Sequence, residues 1–355
     1  MSEEQFTIHP VDLPSAEEAV QRAYYHHYVK IQAERLPDDP PLSFERLRAS
    51  WANVPDFLDL WRWLATPAGA EITDGVVGAA RIWVLRTEDN QHLAQAELSV
   101  APEWRRRGIG RHLLQPVVAR AEGEGRRLIL GVTSDRVPAG DAFMERIGGR
   151  PGLQGRKNQL DLETVDHDLL AEWTADPAAG YEMGLWDGAY PEEDIDDVVA
   201  IHAVMNQQPF DDLEIEEVHV TAEQLRQMDQ QMLATGRERW SLYVRHGESG
   251  EVVGFTQVML DPDKPQIVQQ LNTGVTPEHR GQGLGKWLKA AMVQKLLAER
   301  PQARFIRTEN ANSNAPMLKI NEALGFAPYQ AETIWQLETA QARSYLEEAG
   351  GAGSR

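Results

Sequence analysis

Two hydrophobic rhythms run along this chain, and each appears twice in the same order. Over 76–86 and again over VVGFTQVML (252–260), apolar and polar residues alternate as in a strand with one covered face. Between such runs apolar residues recur at helical spacing. The first half predicts a short strand at Gln5–Val11, then helices over EEAVQRAYYHHYVKIQAE and FERLRASWANV. Strands near 56–65, 76–86 and 91–100 follow, then a helix from about 110 to 123, a strand RLILGVT, a short helix DAFMERIG and a closing strand NQLDLE (158–163). The second half predicts helices IDDVVAIHAVMNQQ and AEQLRQMDQQMLAT and strands WSLYVRH, VVGFTQVML and IVQQLNTGV. Helix GKWLKAAMVQKLLAE, strand RFIRTEN, helix APMLKINEAL and closing strand TIWQLE complete it. Strands alternating with helices make each half a mixed α/β domain around one central sheet.

The two halves are copies. VAPEWRRRGIGR (100–111) matches VTPEHRGQGLGK (275–286). The VVG glycines Gly78 and Gly254 lie 176 apart, Arg105 and Arg280 lie 175 apart, and Gly148 and Gly325 lie 177 apart. A near-constant offset over that distance marks a duplicated domain, and the period is too long for a solenoid. The expected division is 1–165, a linker at 166–180, and 181–345, with the tail GGAGSR fraying.

Composition narrows the function. The chain has 355 residues, enough for two domains of ordinary size, and its 42% hydrophobic and 25% charged content is that of a soluble globular protein. It has no cysteine, which excludes disulfides, thiolate metal sites and a thiol nucleophile. His26 and His27 are adjacent and cannot share a helix face, so no metal site is expected. MSEEQFTIHP is acidic and polar, unlike a secretory signal, and no run nears the ~18 apolar residues of a membrane helix. A cytoplasmic location is expected. The net charge of −20 argues against nucleic-acid and anionic-membrane partners and favours a cationic one, such as an amine; solubility alone is the competing account.

The repeated unit is strand, V-x-P-E-x, R-x-x-G-x-G, helix. Its glycines strip side chains from the point where a helix begins, which exposes unpaired amides at the positive end of the helix dipole. Such a nest binds phosphate or pyrophosphate through backbone alone, and Arg105, Arg280 and Lys286 add positive charge. Other phosphate loops fit badly. Gly285-Lys286 is followed by Trp287, not Ser or Thr, and neither copy has the G-x-G-x-x-G spacing.

R-x-x-G-x-G after a V-x-P strand end resembles the acyl-CoA pyrophosphate loop of the GNAT N-acetyltransferase superfamily. The likeness covers both halves, as in tandem members. It implies two GNAT-like domains, each a mixed central sheet with a splayed strand pair flanked by helices. It also implies that acetyl-CoA, as co-substrate, lays its pyrophosphate on Arg280, Gly281, Gln282, Gly283, Leu284, Gly285 and Lys286, and in the first copy on Arg105, Gly108 and Gly110. Val275, and Val100 in the first copy, end the strand that pairs with pantetheine, and the amide near Thr273 polarises the thioester carbonyl.

The family's second landmark, N-x-x-A-x-x-L-Y-x-x-x-G-F, reads NAPMLKINEALGF from Asn314 to Phe326. The resemblance places Asn314 on pantetheine. Asn321 stands where relatives carry the tyrosine that protonates the leaving thiolate, which puts the usual acid in doubt. Tyr243 and Tyr329 are other donors, with core packing as the competing reading. The first copy has Val137, Met144 and Gly149 at the asparagine, tyrosine and phenylalanine positions, so the second domain is expected to be catalytic and the first a degenerate copy.

Some relatives place a basic glutamate where this chain has Gln269; Glu309 is the candidate base instead, against the alternative of a surface carboxylate. His279, in the loop, reads as a CoA contact or an exposed residue. Five carboxylates lie between Asp211 and Glu217, and Asp211 and Asp212 are candidates for selecting a cationic amine, against a solvated loop. The expected activity is direct acetyl transfer to a primary amine, with a small molecule as the favoured acceptor, and without an acyl-enzyme. The alternative is a non-catalytic acyl-CoA sensor or scaffold. A monomer with pseudo-dimeric lobes is the expected state.

Overall fold

Residues 6–175 and 178–351 are described by the computed structural model. Gln5, residues 176–177 of the expected linker and the end of the tail lie outside them. The chain divides into two compact units. One comprises Met1–Leu153, Asp212–Glu216 and Glu332–Arg355; the other comprises Gln154–Asp211 and Glu217–Ala331.

The N-terminal unit runs β1 (Phe6–Pro10), α1 (Glu18–Arg35), α2 (Phe44–Ala52), β2 (Leu58–Pro67), β3 (Gly78–Leu85), β4 (Leu93–Val100), α3 (Ile109–Gly123), β5 (Leu128–Ser134) and α4 (Ala139–Arg146). Ser43 starts α2 by accepting a hydrogen bond from the Arg46 amide at 3.3 Å. β1 to β4 are antiparallel in sequence order, and β4 then runs parallel to β5. The apolar face of α3 buries Leu113 and Val117 against Ile82 and Ala94 of this sheet.

The C-terminal unit begins within β6 (Arg150–Asp161). It continues through α5 (His167–Ala175), β7 (Tyr181–Asp187), α6 (Ile195–His202), α7 (Ala222–Ala234), β8 (Glu238–His246), β9 (Val252–Leu260), β10 (Ile267–Val275), α8 (Leu284–Glu299), β11 (Phe305–Ala311) and α9 (Ala315–Ala323). Its strand order is β6-β11-β10-β9-β8-β7. Leu288, Met292 and Leu296 of α8 are fully buried against Val244, Val258 and Val268. The chain ends with β12 (Ala327–Glu338) and α10 (Thr339–Gly351). Among the described residues, no helix is long and apolar enough to cross a membrane.

The closing strands are exchanged relative to the expected division at 165. NQLDLE lies in β6 and pairs antiparallel with β11, Leu160 opposite Ile306, in the C-terminal unit. IWQLE lies in β12 and pairs with β5, Leu337 opposite Ile129, in the N-terminal unit. Alternation marks a segment as a strand and sets its inward face, but two segments of like pattern fit either sheet equally well. The expected linker also differs: much of it is α5, whose Leu170 is 1% exposed and belongs to the C-terminal core. The helix expected to reach 208 stops at His202 and tightens into a 3-10 turn over Ala203–Gln207. β7 and α10 are further elements that the pattern did not mark.

Leu337→Ala should cost about 2–5 kcal/mol and raise amide exchange in β5 while leaving β11 protected. Leu160→Ala should do the reverse. Hydrogen exchange read by mass spectrometry distinguishes this pairing from sequential closure, in which Leu337→Ala would loosen β11.

Candidate functional site

The duplicated glycine of each VVG motif seats the helix against its strand end. A Cβ on Gly254 would lie 3.2 Å from Val275 Cγ2 and 3.4 Å from Leu288 Cδ1; one on Gly78 would lie 3.0 Å from Ile109 Cγ2. Both glycines therefore allow the loop-bearing helix to approach the sheet closely.

Beyond Val275 the chain makes a 3-10 turn at Pro277–His279 and enters α8 through Gly283. Gly281 and Gly283 have φ of 79° and 80°, and a Cβ on either would meet nothing within 4 Å, so the glycines serve the backbone conformation and leave the loop's outer face open. In the first helical turn the Lys286 and Trp287 amides turn back to the Gly283 carbonyl, while the amides at the very start of a helix have no intrahelical acceptor. Open amides at the start of a helix are the geometry that anion binding through backbone requires. In the N-terminal unit Gly108 repeats the left-handed cap, but Arg106 takes φ 62° at the position of Gly281, which costs roughly 1–2 kcal/mol for a residue with a side chain.

The loop arginines also have a structural part. Arg280 Nε donates to the Val275 carbonyl at 3.0 Å, and Arg105 Nε donates to the Val100 carbonyl at 3.1 Å. Each guanidinium thus also closes its loop onto the preceding strand. Arg280 also donates to the neutral Gln207 amide oxygen at 2.6 Å, whereas Arg105 is ion-paired with Glu34. Lys286 Nζ lies 5.0 Å from the centre of the Trp173 ring, and His279 Nδ1 lies 2.8 Å from the Tyr181 hydroxyl.

Both units part a parallel strand pair beside the loop. β10 pairs with β11 only from Ile267–Gln270 opposite Phe305–Thr308, and β4 with β5 only from Leu93–Gln95 opposite Leu128–Leu130. The two differ at one point. β10 shifts register against β9 between Gln270 and Thr273, whereas β4 stays in register with β3. A bulge re-aims the backbone and leaves an extra residue outside the ladder. At its two ends, Thr273 Oγ1 lies 2.7 Å from Thr256 Oγ1, and Gln270 Nε2 donates to the Thr256 hydroxyl at 3.0 Å.

The N-terminal gap is a cavity of about 620 Å³ walled by Leu98, Leu114, Val132, Thr133, Phe143 and Met144. In the C-terminal unit the residues matching Leu114, Thr133 and Met144 are Lys289, Asn310 and Asn321. They form a chain: Lys289 Nζ donates to Asn321 Oδ1 at 2.6 Å, and Asn321 Nδ2 donates to Asn310 Oδ1 at 2.8 Å. Lys289 is 2% exposed and Asn321 1%. Burial lowers the Lys289 pKa to about 7. Lys289 is not among the residues singled out by motif; a lysine inside the apolar run LKAAMV, opposite a leucine in the other copy, is the signal the sequence holds for it.

The other candidates fall as follows. Asn314 caps α9, accepting from the Met317 amide at 3.4 Å. Glu309 follows the last β10–β11 pair, is largely exposed, and lies 3.1 Å from Lys157 across the β11–β6 ladder. Tyr243 stacks on Trp186 with ring centres 4.2 Å apart, and Arg307 covers the Tyr329 ring at 4.0 Å; both tyrosines pack. Asp211 accepts from Ser313 Oγ at 2.6 Å. Asp212 lies in the segment that belongs to the N-terminal unit, where its amide donates to the Gly152 carbonyl at 2.9 Å. In that segment the Arg127 guanidinium holds the Glu214 carboxyl below its usual range. The structure thus separates Asp211 from Asp212, because the acidic run is bound through its backbone as a strap. Among the described residues, no group of three His, Asp or Glu is placed to hold a metal ion.

A helix start with open amides beside a parted strand pair offers room for an extended, anionic ligand, and comparison with known proteins names the family. The model of the acetyltransferase (GNAT) family matches residues 30–148 and 199–326. The chain belongs to that family, carries its domain twice, and is an acyltransferase. It is 26% identical over 276 residues to a mycothiol acetyltransferase of Rhodococcus opacus (strain B4), covering 74% of this chain and 79% of the relative. A mycothiol acetyltransferase of Mycobacterium leprae (strain Br4923) is 25% identical over 266 residues, covering 69% and 75%. Among solved structures, a tandem GNAT protein from the clavulanic acid biosynthesis pathway, solved without AcCoA, superposes with TM-score 0.77 at 27% identity, over 94% of this chain and 99% of that one. A GCN5-related N-acetyltransferase from Sphaerobacter thermophilus shares the fold at TM-score 0.61 and 15% identity, over 94% and 96%.

Stability should rise between about pH 7 and about pH 10, because there the unfolded chain keeps the Lys289 proton and the folded chain does not. The slope is on the order of 1.4 kcal/mol per pH unit. Lys289→Met should remove that rise, read as the pH dependence of the difference in urea midpoints.

Proposed function

We propose that the protein moves the acetyl group of acetyl-CoA directly to the primary amine of a small molecule, and that the C-terminal unit does this. The observation that carries the reading is the bulged, parted β10 strand opening beside the nest at Gly281–Gly285. Its N-terminal counterpart lacks the bulge, and its loop arginine is neutralised by Glu34. The relatives' name, mycothiol acetyltransferase, supports a small-molecule acceptor, and the AcCoA named for the clavulanic acid pathway protein supports the co-substrate.

In this reading the nest receives the pyrophosphate, with Gln282 and Leu284 supplying amides beside the glycines. The strand edge ending at Val275 takes the pantetheine, and Asn314, at the start of α9, borders it. The amide at Thr273 faces the thioester oxygen, which gains negative charge as the amine attacks. Holding amine and thioester in one gap supplies much of the acceleration. Glu309 takes the ammonium proton, directly or through water. Asp211, close to α9, attracts the cationic acceptor, and the net charge of −20 favours its approach. Asp212 lacks a comparable position.

The cavity of the N-terminal unit favours a second reading for that unit alone: a site that holds acyl-CoA without turning it over. Its apolar wall offers no proton donor at Leu114 or Met144.

Calorimetric titration with acetyl-CoA separates these roles. Gly283→Trp should weaken binding at the catalytic site by at least tenfold and abolish transfer to a panel of amines. Gly108→Trp should leave transfer intact and remove only a second binding event. Transfer that survives Gly283→Trp and disappears with Gly108→Trp would reverse the assignment of the units. No binding by the wild type would end the acetyltransferase reading.

A further inference from the structure

One buried cation in the C-terminal unit has a neutral hydrogen-bond partner and no carboxylate paired with it among the described residues. Lys289 lies on α8 among apolar neighbours, with the Phe326 ring centre 5.2 Å from its Nζ. Asn321 is its hydrogen-bond partner among the described residues, and that partner is neutral. A buried ammonium with one neutral acceptor is costly, and a methionine of similar shape would avoid the cost. The duplicated chain does avoid it at the matching position, Leu114, which is 4% exposed and lines the N-terminal cavity. Met144 and Thr133, which match Asn321 and Asn310, line the same cavity. The three polar residues thus stand at the positions that, in the other copy, wall the gap.

We propose that Lys289 is the proton donor to the departing CoA thiolate, its ammonium held in the wall of the gap by Asn321. The assignment rests on the acyl-CoA reading of that gap. Asn321 stands where the family motif carries a tyrosine, and its amide cannot give up a proton at any ordinary pH. It can hold a cation in place, and its own NH₂ group is fixed in turn by Asn310 on β11.

The charged groups on the surrounding elements are engaged elsewhere or exposed. On β11, Glu309 pairs with Lys157 and Arg307 donates to Gln159. On α9, Glu322 pairs with Arg156 and Lys319 is exposed. On α8, Lys286 covers Trp173 and Lys295 pairs with Glu299. Burial is the cause of the lowered Lys289 pKa, and a value of about 7 is suited to an acid that must both give and regain a proton near neutrality.

The step balances without another reagent. The acceptor ammonium loses one proton to Glu309 or water. Its lone pair forms the C–N bond at the thioester carbonyl. The tetrahedral intermediate collapses, and the C–S bond breaks with its electron pair on sulfur. The Lys289 ammonium protonates that sulfur. The second nitrogen proton leaves to solvent as the amide forms, and Lys289 regains a proton from solvent.

The test needs no acceptor. The ultraviolet absorbance of the CoA thiolate is followed against pH for CoA bound to Gly108→Trp protein, which restricts the reading to the C-terminal gap. Lys289→Met and Lys289→Gln are made in the same background; Leu114 at the matching position shows that the fold accepts an uncharged side chain there. Bound thiolate and Lys289 ammonium stabilise each other, so with Lys289 present the bound thiol should show at least several times the thiolate absorbance of free CoA between about pH 7 and pH 8. Both variants should bring that absorbance down to the level of free CoA. An equal thiolate absorbance over that range with and without Lys289, at undiminished CoA affinity, would overturn the assignment and leave the acyl-CoA reading standing. Absence of CoA binding in the Gly108→Trp protein, measured by calorimetry, would remove both.

Discussion

Between Gln270 and Val275, β10 runs on without pairing to β11, and the chemistry assigned to the C-terminal unit depends on that parting. A strand edge presents amides and carbonyls that need partners. In an ordinary sheet the next strand supplies them. Here the edge is free at the point where the chain turns into the nest of α8, so an extended ligand with its own amide groups can add to the edge while its anionic end reaches the helix. The constraint propagates backwards into the sequence. Gly254 must lack a side chain for α8 to sit close to Val275, and Arg280 must reach the Val275 carbonyl to fix the turn. The bulge between Gln270 and Thr273 then changes the direction of the same edge.

The elements were legible in the sequence because their signals are local. Alternation marked β9, β10 and β11, and the two in-register copies of R-x-x-G-x-G located both helix starts. The exchange of β6 and β12 was illegible, since Leu160 and Leu337 occupy equivalent places in equivalent patterns and partner choice is a property of the folded chain. The glycine caps at Gly108 and Gly283 were legible in the spacing, but the bond from Arg280 to the Val275 carbonyl was not, because a guanidinium beside a phosphate loop and one bonded to a carbonyl look identical in a string of letters. The acidic run from Asp211 to Glu217 showed its charge without showing that its backbone straps it to the N-terminal unit. Lys289 was visible as a breach in an apolar helix face, but only its contact with Asn321 and its burial distinguish it from a surface lysine.

Duplication lets one unit serve as a control for the other. Helix, loop and parted strands recur in both, so these features belong to the scaffold. What differs is confined to a few positions: bulge against regular ladder, Gly281 against a strained Arg106, a neutral partner for Arg280 against Glu34 for Arg105, and a polar wall against an apolar one. The proposed assignment of the reaction to the C-terminal gap rests on these differences. The N-terminal unit keeps space and an apolar lining.

The exchanged strands also bear on how the chain is made. Thr133 of β5 meets Trp335 of β12 across a separation of 202 residues. A ribosome adding about 5–20 residues per second leaves β5 waiting some tens of seconds for that partner. During that interval the N-terminal unit has an uncovered edge and lacks the side chains of Trp335 and Leu337 from its interior. The C-terminal unit, by contrast, receives β6 before its own strands emerge. The half synthesised first is therefore the half completed last, and its exposed edge during synthesis is where a chaperone has the most to protect.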